Sequence, residues 1–112
     1  MNNKKYLIIL ILKLLETETD IDKPLTQTKI AEIISERFPC DRKTVCRNIG
    51  FLIKVGYPIR KTNKGYYLDN KKFTVDEAKF ILNAVRNSSL KTEMEKKVLA
   101  NRLEDILYKI YR

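Results

Sequence analysis

The sequence contains no histidine and only two cysteines and three glycines. Histidine is the commonest general base and the commonest metal ligand. Its absence therefore removes the side chain on which most hydrolases and transition-metal sites depend. The carboxylates are scattered and show no paired arrangement typical of catalysis; those considered are Glu32, Glu36, Asp41, Asp69 and Glu77. We therefore expect neither an enzyme nor a metal site, and no cofactor.

The two cysteines are Cys40 and Cys46. This is too few for a disulfide-rich secreted scaffold, and zinc needs more ligands than these two thiols. The simplest interpretation is two reduced thiols in a cytosolic protein. The alternative is a redox switch, because Cys40 lies just before a predicted helix N-terminus, where a thiolate would be favoured.

No apolar run is long enough to span a membrane, which takes about 20 residues. Tyr6 to Leu12 is apolar, but Lys13 interrupts this stretch and Glu16 to Glu18 follow. A signal peptide would have small residues at that point, where its cleavage site lies. The segment is therefore predicted to be a largely buried helix, over about residues 3 to 17, in a cytoplasmic protein.

The chain has 112 residues, the size of one domain, and carries 23 Lys and Arg against 14 Asp and Glu, for a net charge of +9. Nearly all of the excess lies in residues 23–72, while the segments on either side are close to neutral. A localised basic segment indicates a polyanionic partner, such as nucleic acid or acidic lipid. A merely solvated basic face is the plainer alternative.

Two short helices are predicted in this basic segment. Thr26 is a possible N-cap for the first, and Pro39 ends that helix. Asp41 is a possible N-cap for the second, whose apolar face is Val45, Ile49 and Leu52. Only a short turn separates the two helices, which is typical of a helix-turn-helix unit.

A β-hairpin and two further helices are predicted after this unit. Residues 59–62 and 66–68 flank a three-residue loop that ends at Gly65, which favours a hairpin with Gly65 in the left-handed conformation. Capping boxes then begin helices from Thr74 to about Arg86 and from Thr92 to about Tyr111. The expected fold is mainly α, with a winged helix-turn-helix and short β-hairpin wing in residues 1–72, and a helical connector and dimerisation extension in residues 73–112.

The outward face of the second short helix is cationic, which suits the major groove of DNA. Arg47 and Lys43 have donors for guanine, and Asn48 could pair with adenine. Hydroxyls and backbone N–H groups at the start of the preceding helix suit phosphate. The residues predicted to contact DNA are Thr26, Gln27, Thr28, Arg42, Lys43, Thr44, Arg47, Asn48, Arg60, Lys61 and Lys64.

The segments DRKTVCRNIGFL (41–52), GYPI (56–59) and GYYL (65–68) together resemble a known family. They are similar to the N-terminal winged helix-turn-helix of bacterial WYL-domain transcriptional regulators, and the resemblance covers roughly residues 5 to 86. It implies that Lys43, Thr44 and Arg47 occupy recognition-helix positions. The WYL domain has no counterpart in the sequence, so ligand sensing by that domain is not implied. The resemblance does not imply a particular operator sequence either, because Cys46, Asn48 and Gly50 depart from the family pattern.

An apolar seam in the last predicted helix has the spacing of a helix-pairing surface; it comprises Leu99, Leu103, Ile106 and Ile110. The seam either docks on its own chain or pairs two copies, and a helix-turn-helix of this size reads a half-site that a homodimer would double. The expected function is a sequence-specific double-stranded DNA-binding transcriptional regulator, a homodimeric repressor or autoregulator. The alternative is a protein-binding inhibitor or adaptor of a mobile genetic element that uses a winged-helix scaffold.

Overall fold

The computed structural model describes residues 4–110 and shows a mainly helical chain with one antiparallel hairpin between helices. The order of elements agrees with the sequence prediction. The last helix ends earlier than predicted, at Leu107 instead of Tyr111, and Tyr111 lies outside the described residues. The elements are α1 (Lys4–Glu18), α2 (Gln27–Ser35), α3 (Arg42–Lys54), β1 (Ile59–Thr62), β2 (Gly65–Leu68), α4 (Val75–Arg86) and α5 (Glu93–Leu107).

Four of the helices begin at the N-cap residues that the sequence predicts. The side chain of Thr26 accepts a hydrogen bond from the backbone N–H three residues later, and Asp41 does the same at the start of α3. Thr74 and Thr92 each form a complete capping box with the glutamate three residues on. Each cap satisfies backbone donors that a helix leaves without intrahelical partners. These helix starts are therefore encoded locally.

A hydrophobic cluster joins α1, α2, α3 and the hairpin, and we call it the first cluster. Its most deeply buried side chains include Ile11 and Leu15 of α1, Ile30 of α2, and Val45 and Ile49 of α3. The apolar face predicted for α3 is confirmed, since Leu52 is buried as well. Within residues 4–110, no helix is long and apolar enough to cross a membrane.

The hairpin differs from the prediction in its turn. Thr62 pairs with Gly65, so two residues, Asn63 and Lys64, lie between the paired positions instead of three. Gly65 has φ +129°, and a Cβ there would lie 2.3 Å from the carbonyl carbon of Leu25. Leu25 and Tyr66 exchange backbone hydrogen bonds of 2.8 and 2.7 Å. Glycine is therefore required where the hairpin closes onto the segment that precedes α2.

The last two helices pack against each other around a smaller cluster, which we call the second cluster. Its buried members are Ala78 and Leu82 of α4 and Ala100 and Leu107 of α5. Two of these four side chains are methyl groups, so the helices approach closely but bury little apolar volume. Other side chains, including Leu103, pack at the margin of the cluster.

A polar junction, formed by Thr19, Asp20 and Lys71, connects the two clusters. The Thr19 hydroxyl accepts a hydrogen bond from the backbone N–H of Leu68 at 3.0 Å, and Asp20 accepts from that of Val75 at 2.7 Å. The Lys71 ammonium donates to the carbonyl oxygens of Glu16 and Thr19. Burial lowers the pKa of Lys71, although nearby carboxylates oppose this effect. The junction thus ties the end of α1 to the hairpin exit and to the start of α4.

The apolar seam predicted for the last helix is not one continuous face. Leu103 packs against the second cluster, whereas Leu99 and Ile106 are exposed. Ile110 lies beyond the end of α5, where it forms a β-bridge with Lys71 and packs against the first cluster. The helix ends before Ile110, so the regular spacing of the seam does not continue to that residue.

Candidate nucleic-acid interface

The outward face of α3 carries exposed cations and no carboxylate. Packing of Val45, Ile49 and Leu52 into the first cluster fixes the rotation of the helix. The opposite face is exposed, as helical geometry predicts, and it comprises Lys43, Arg47, Gly50 and Lys54. A Cβ at Gly50 would have no atom within 4 Å, so this part of the face is flat and open.

Between Asp41 and Asp69 the sequence contains no carboxylate side chain. Its cations are Arg42, Lys43, Arg47, Lys54, Arg60, Lys61 and Lys64. Among the residues that the structure describes, Arg60 is the one member of this set in a salt bridge, at 3.0 Å from Asp69. The α3 cations are thus in no salt bridge within the part of the chain that the structure describes.

The start of α2 presents fewer groups to solvent than the sequence suggests. The Thr26 hydroxyl caps the helix, and the Gln27 amide donates to the Tyr66 hydroxyl at 3.0 Å. Thr28 is exposed. The Gln27 contact holds the N-terminus of α2 against the hairpin, so of these three side chains Thr28 is the one best placed to meet a phosphate.

Asn48 and Thr44 lie on the flank of α3, and both are half-buried. The Asn48 amide donates to the Thr44 carbonyl oxygen at 3.0 Å, which uses one of its two N–H bonds within the helix. Recognition of adenine by asparagine uses the amide oxygen and one N–H together. Asn48 would therefore have to change its rotamer or use its remaining N–H, whereas Arg47 is already exposed.

The hairpin presents two further exposed cations, Lys61 and Lys64. Lys64 is exposed in the turn, and the Lys61 ammonium lies 5.8 Å from the centre of the Tyr66 ring. Arg60 is committed to Asp69, whose pKa is lowered by the Asn70 backbone N–H and by Arg60 itself. Lys61 and Lys64 are thus better placed than Arg60 to meet a polyanion.

The tyrosines do not form a stacking platform around the hairpin. Tyr66 and Tyr67 are buried, and Tyr57 is half-buried against the first cluster. Stacking of single-stranded bases needs exposed aromatic faces. These three side chains serve packing instead.

The redox-switch alternative requires a thiolate at Cys40, and the structure does not favour one. Burial raises the pKa of Cys40, and the neighbouring Asp41 carboxylate raises it further. The Asp41 carboxylate itself has a lowered pKa, chiefly because it accepts the Thr44 backbone N–H at the start of α3. A helix N-terminus that is already capped by a carboxylate therefore favours the protonated thiol at Cys40. Cys46 is exposed, and neither residue is in a disulfide.

Residues 4–110 contain no group of three or more cysteine, aspartate or glutamate side chains that could hold a metal ion. Comparison with known proteins gives no match: no family model matches the chain, and no curated protein or solved structure is significantly similar to it. The resemblance to WYL-domain regulators therefore remains an expectation based on sequence motifs.

Proposed function

We propose that the chain is a winged helix-turn-helix protein that binds double-stranded DNA in a sequence-specific manner and regulates transcription. The observation that carries this proposal is the exposed cationic face of α3, whose cations form no salt bridge among the described residues. Affinity for DNA comes largely from neutralising phosphates. No salt bridge among the described residues competes with phosphates for these cations.

In this mechanism α3 lies in the major groove with its cationic face against the base edges. Arg47 and Lys43 donate to O6 and N7 of guanine, which reads sequence. Thr28 at the start of α2 and the hairpin residues Lys61 and Lys64 contact phosphates, which fixes the position of α3 without reading bases. The hairpin thus acts as the wing, and the WYL-like motifs agree with these roles.

The regulator acts as a homodimer in this proposal, since one α3 reads a half-site. The outer face of α5 has exposed apolar side chains suited to a second copy. Two of them, Leu99 and Ile106, belong to the predicted seam, and the other two, Met94 and Val98, were not predicted. The dimer blocks promoter DNA by occupying it, as a repressor or autoregulator does, in the cytoplasm.

One observation favours the alternative, a protein-binding inhibitor or adaptor. Three apolar side chains are exposed at the end of α3, Phe51 and Ile53 within the helix and Val55 at its C-cap, and Val55 is 74% exposed. Adjacent exposed apolar residues are a feature of protein-binding surfaces. A protein partner would use this part of α3, whereas DNA would use Lys43 and Arg47.

The test is selection of bound duplexes from a random DNA pool, followed by affinity measurements on the winner and on a scrambled duplex at several salt concentrations. We expect a two-fold symmetric motif that binds at least about 10³-fold more tightly than the scrambled duplex. Weak binding that is equal for both duplexes and falls steeply with salt would show that the α3 face is a non-specific electrostatic surface. That result would favour the adaptor.

A further inference from the structure

A groove of about 550 Å³ runs along the flank of α3, between that helix and the first turns of α1. Its volume lies in the range of small-molecule sites. The apolar part of its lining includes Ile8 of α1, Pro39 of the α2–α3 turn and Phe51 of α3. Phe51 is 52% exposed, so part of its side chain is open to a ligand in the groove.

The charged side chains that line the groove are of one sign. Lys5 and Arg47 contribute to its lining, and no carboxylate does. Neither cation forms a salt bridge among the residues that the structure describes. The half-buried Asn48 adds a polar group between the cations and the apolar lining. The groove therefore complements a molecule with an apolar body and a single anionic end.

We propose that this groove binds an amphipathic monocarboxylate, with its aliphatic or aromatic body against Ile8 and Phe51 and its carboxylate beside Arg47 and Lys5. Arginine and carboxylate form charge-assisted hydrogen bonds in a planar, two-pronged arrangement, which selects a carboxylate over an alcohol of the same length. Phe51 supplies apolar contact area that does not discriminate between the two.

The site has a regulatory consequence, which rests on the proposed function. Arg47 belongs both to the groove lining and to the face of α3 that reads guanine in the proposed complex. A carboxylate held by Arg47 removes that side chain from the base edge. The ligand and the specific duplex therefore compete, and each lowers the affinity of the protein for the other by the same factor.

Direct binding is tested by titrating decanoate, below the concentration at which it forms micelles, into the ¹⁵N-labelled full chain without DNA. Decanol and decylamine are the matched neutral and cationic probes. We expect saturable amide shifts confined to the start of α1, the α2–α3 turn and α3, with decanoate bound at least tenfold more tightly than decanol. Scattered shifts, or equal affinity for the three probes, would overturn the site.

Variants separate the two halves of the proposed site. Arg47→Ala should remove most of the preference for decanoate over decanol, and Lys5→Ala should reduce it to a smaller extent. Phe51→Ser should weaken all three probes together, and Lys97→Ala on α5 is the control that changes none of them. A preference for decanoate that survives Arg47→Ala would contradict the proposed arrangement.

The coupling to DNA needs a separate measurement on the duplex obtained by selection. Decanoate should raise the Kd of the unmodified protein for that duplex but not the Kd of Phe51→Ser, which keeps every proposed DNA contact. Saturable decanoate binding without a selected motif would leave the groove site standing and refute the DNA-binding function. A selected motif without decanoate binding would refute the groove site alone, and decanoate binding that leaves the Kd unchanged would refute the competition.

Discussion

The region from α3 to the hairpin and the region formed by α4 and α5 use charged residues in opposite ways. In the first, a run of cations has a single salt bridge, Arg60–Asp69. In the second, most cations form salt bridges with carboxylates of α5 or α1, although Lys97 and Arg102 are in none among the described residues. Surface salt bridges contribute little to stability. Their presence or absence therefore shows where the molecule is neutral and where it can bind an anion.

The largest expected effects come from the two clusters beneath these regions. Ile49→Ala in the first cluster and Leu82→Ala in the second should each lower the free energy of unfolding by about 2 to 5 kcal/mol, because both side chains are nearly fully buried. Urea unfolding followed by tyrosine fluorescence and by circular dichroism measures the loss. If the junction couples the clusters, both probes shift together for both variants. Separate transitions would make the two regions independent folding units.

The contrast in charge is tested by removing one cation from each region. Arg47→Ala should weaken binding of the selected duplex by about 1 to 3 kcal/mol and relax its sequence preference, because a guanine contact is lost. Lys97→Ala, an equal change of charge on α5, should leave the affinity nearly unchanged. Lys61→Ala should weaken all duplexes alike and reduce the salt slope by about 1. Fluorescence anisotropy across salt concentrations measures all three, and equal effects of Arg47→Ala and Lys97→Ala would remove the distinction between the regions.

The junction can be weakened without changing charge. Thr19→Val leaves the buried N–H of Leu68 without its side-chain acceptor, which should cost about 1 to 3 kcal/mol of stability. Thr19→Ser keeps the hydroxyl and should lose less. Thermal or urea unfolding of both variants gives the comparison. A larger loss in Ser than in Val would instead assign the role of Thr19 to packing of its methyl group, which Val keeps and Ser lacks.

The sequence predicts those parts of the molecule that depend on neighbours within a few residues. The N-caps at Thr26 and Asp41 and the apolar face of α3 are confirmed because each is set within one or two turns of helix. The polar junction escaped prediction because its hydrogen bonds join residues about 50 positions apart, such as Thr19 and Leu68. The thiolate that the redox-switch alternative requires at Cys40 is disfavoured for a related reason, because the burial of Cys40 comes from packing against the first cluster.

The residues predicted to contact DNA divide along the same line. Exposure of Lys43 and Arg47 follows from helical periodicity once the apolar face is known. The engagement of Gln27 with Tyr66 and of Arg60 with Asp69 depends on where the hairpin lies, which the local pattern does not specify. Ile110 is a similar case, because its contact with the first cluster requires the helix to end before it.

A surface salt bridge of the second region should have a small effect. Arg86→Ala removes the salt bridge between Arg86 of α4 and Glu104 of α5, with both side chains nearly half exposed. We expect a loss of less than about 1 kcal/mol in urea unfolding, and a smaller loss at high salt. A loss as large as that of Leu82→Ala would show that this contact, and not the small apolar cluster, holds the two helices together.

The smallest expected change concerns acid sensitivity at the start of α3. The pKa of Asp41 is lower in the folded chain than its ordinary value, so its carboxylate adds stability at pH above that value. This contribution is lost as the pH falls through the lowered pKa. Asp41→Asn keeps an N-cap that does not titrate. The variant should therefore lose less stability than the unmodified chain as the pH falls from about 5 to 1, the range over which such carboxylate contributions are lost. Parallel acid-unfolding curves would contradict this role.

Gly50 interrupts the cationic face of α3 at a point where an added Cβ would meet nothing. Glycine in a helix interior is less favourable than alanine by about 1 kcal/mol, so folding alone would favour almost any other residue at this position. A new side chain there would project beside Arg47 without disturbing the first cluster. In the proposed DNA complex, position 50 is thus a site at which a single codon change would alter which DNA sequence is read while the helix becomes more stable. A change of target would then not reduce the stability of the protein.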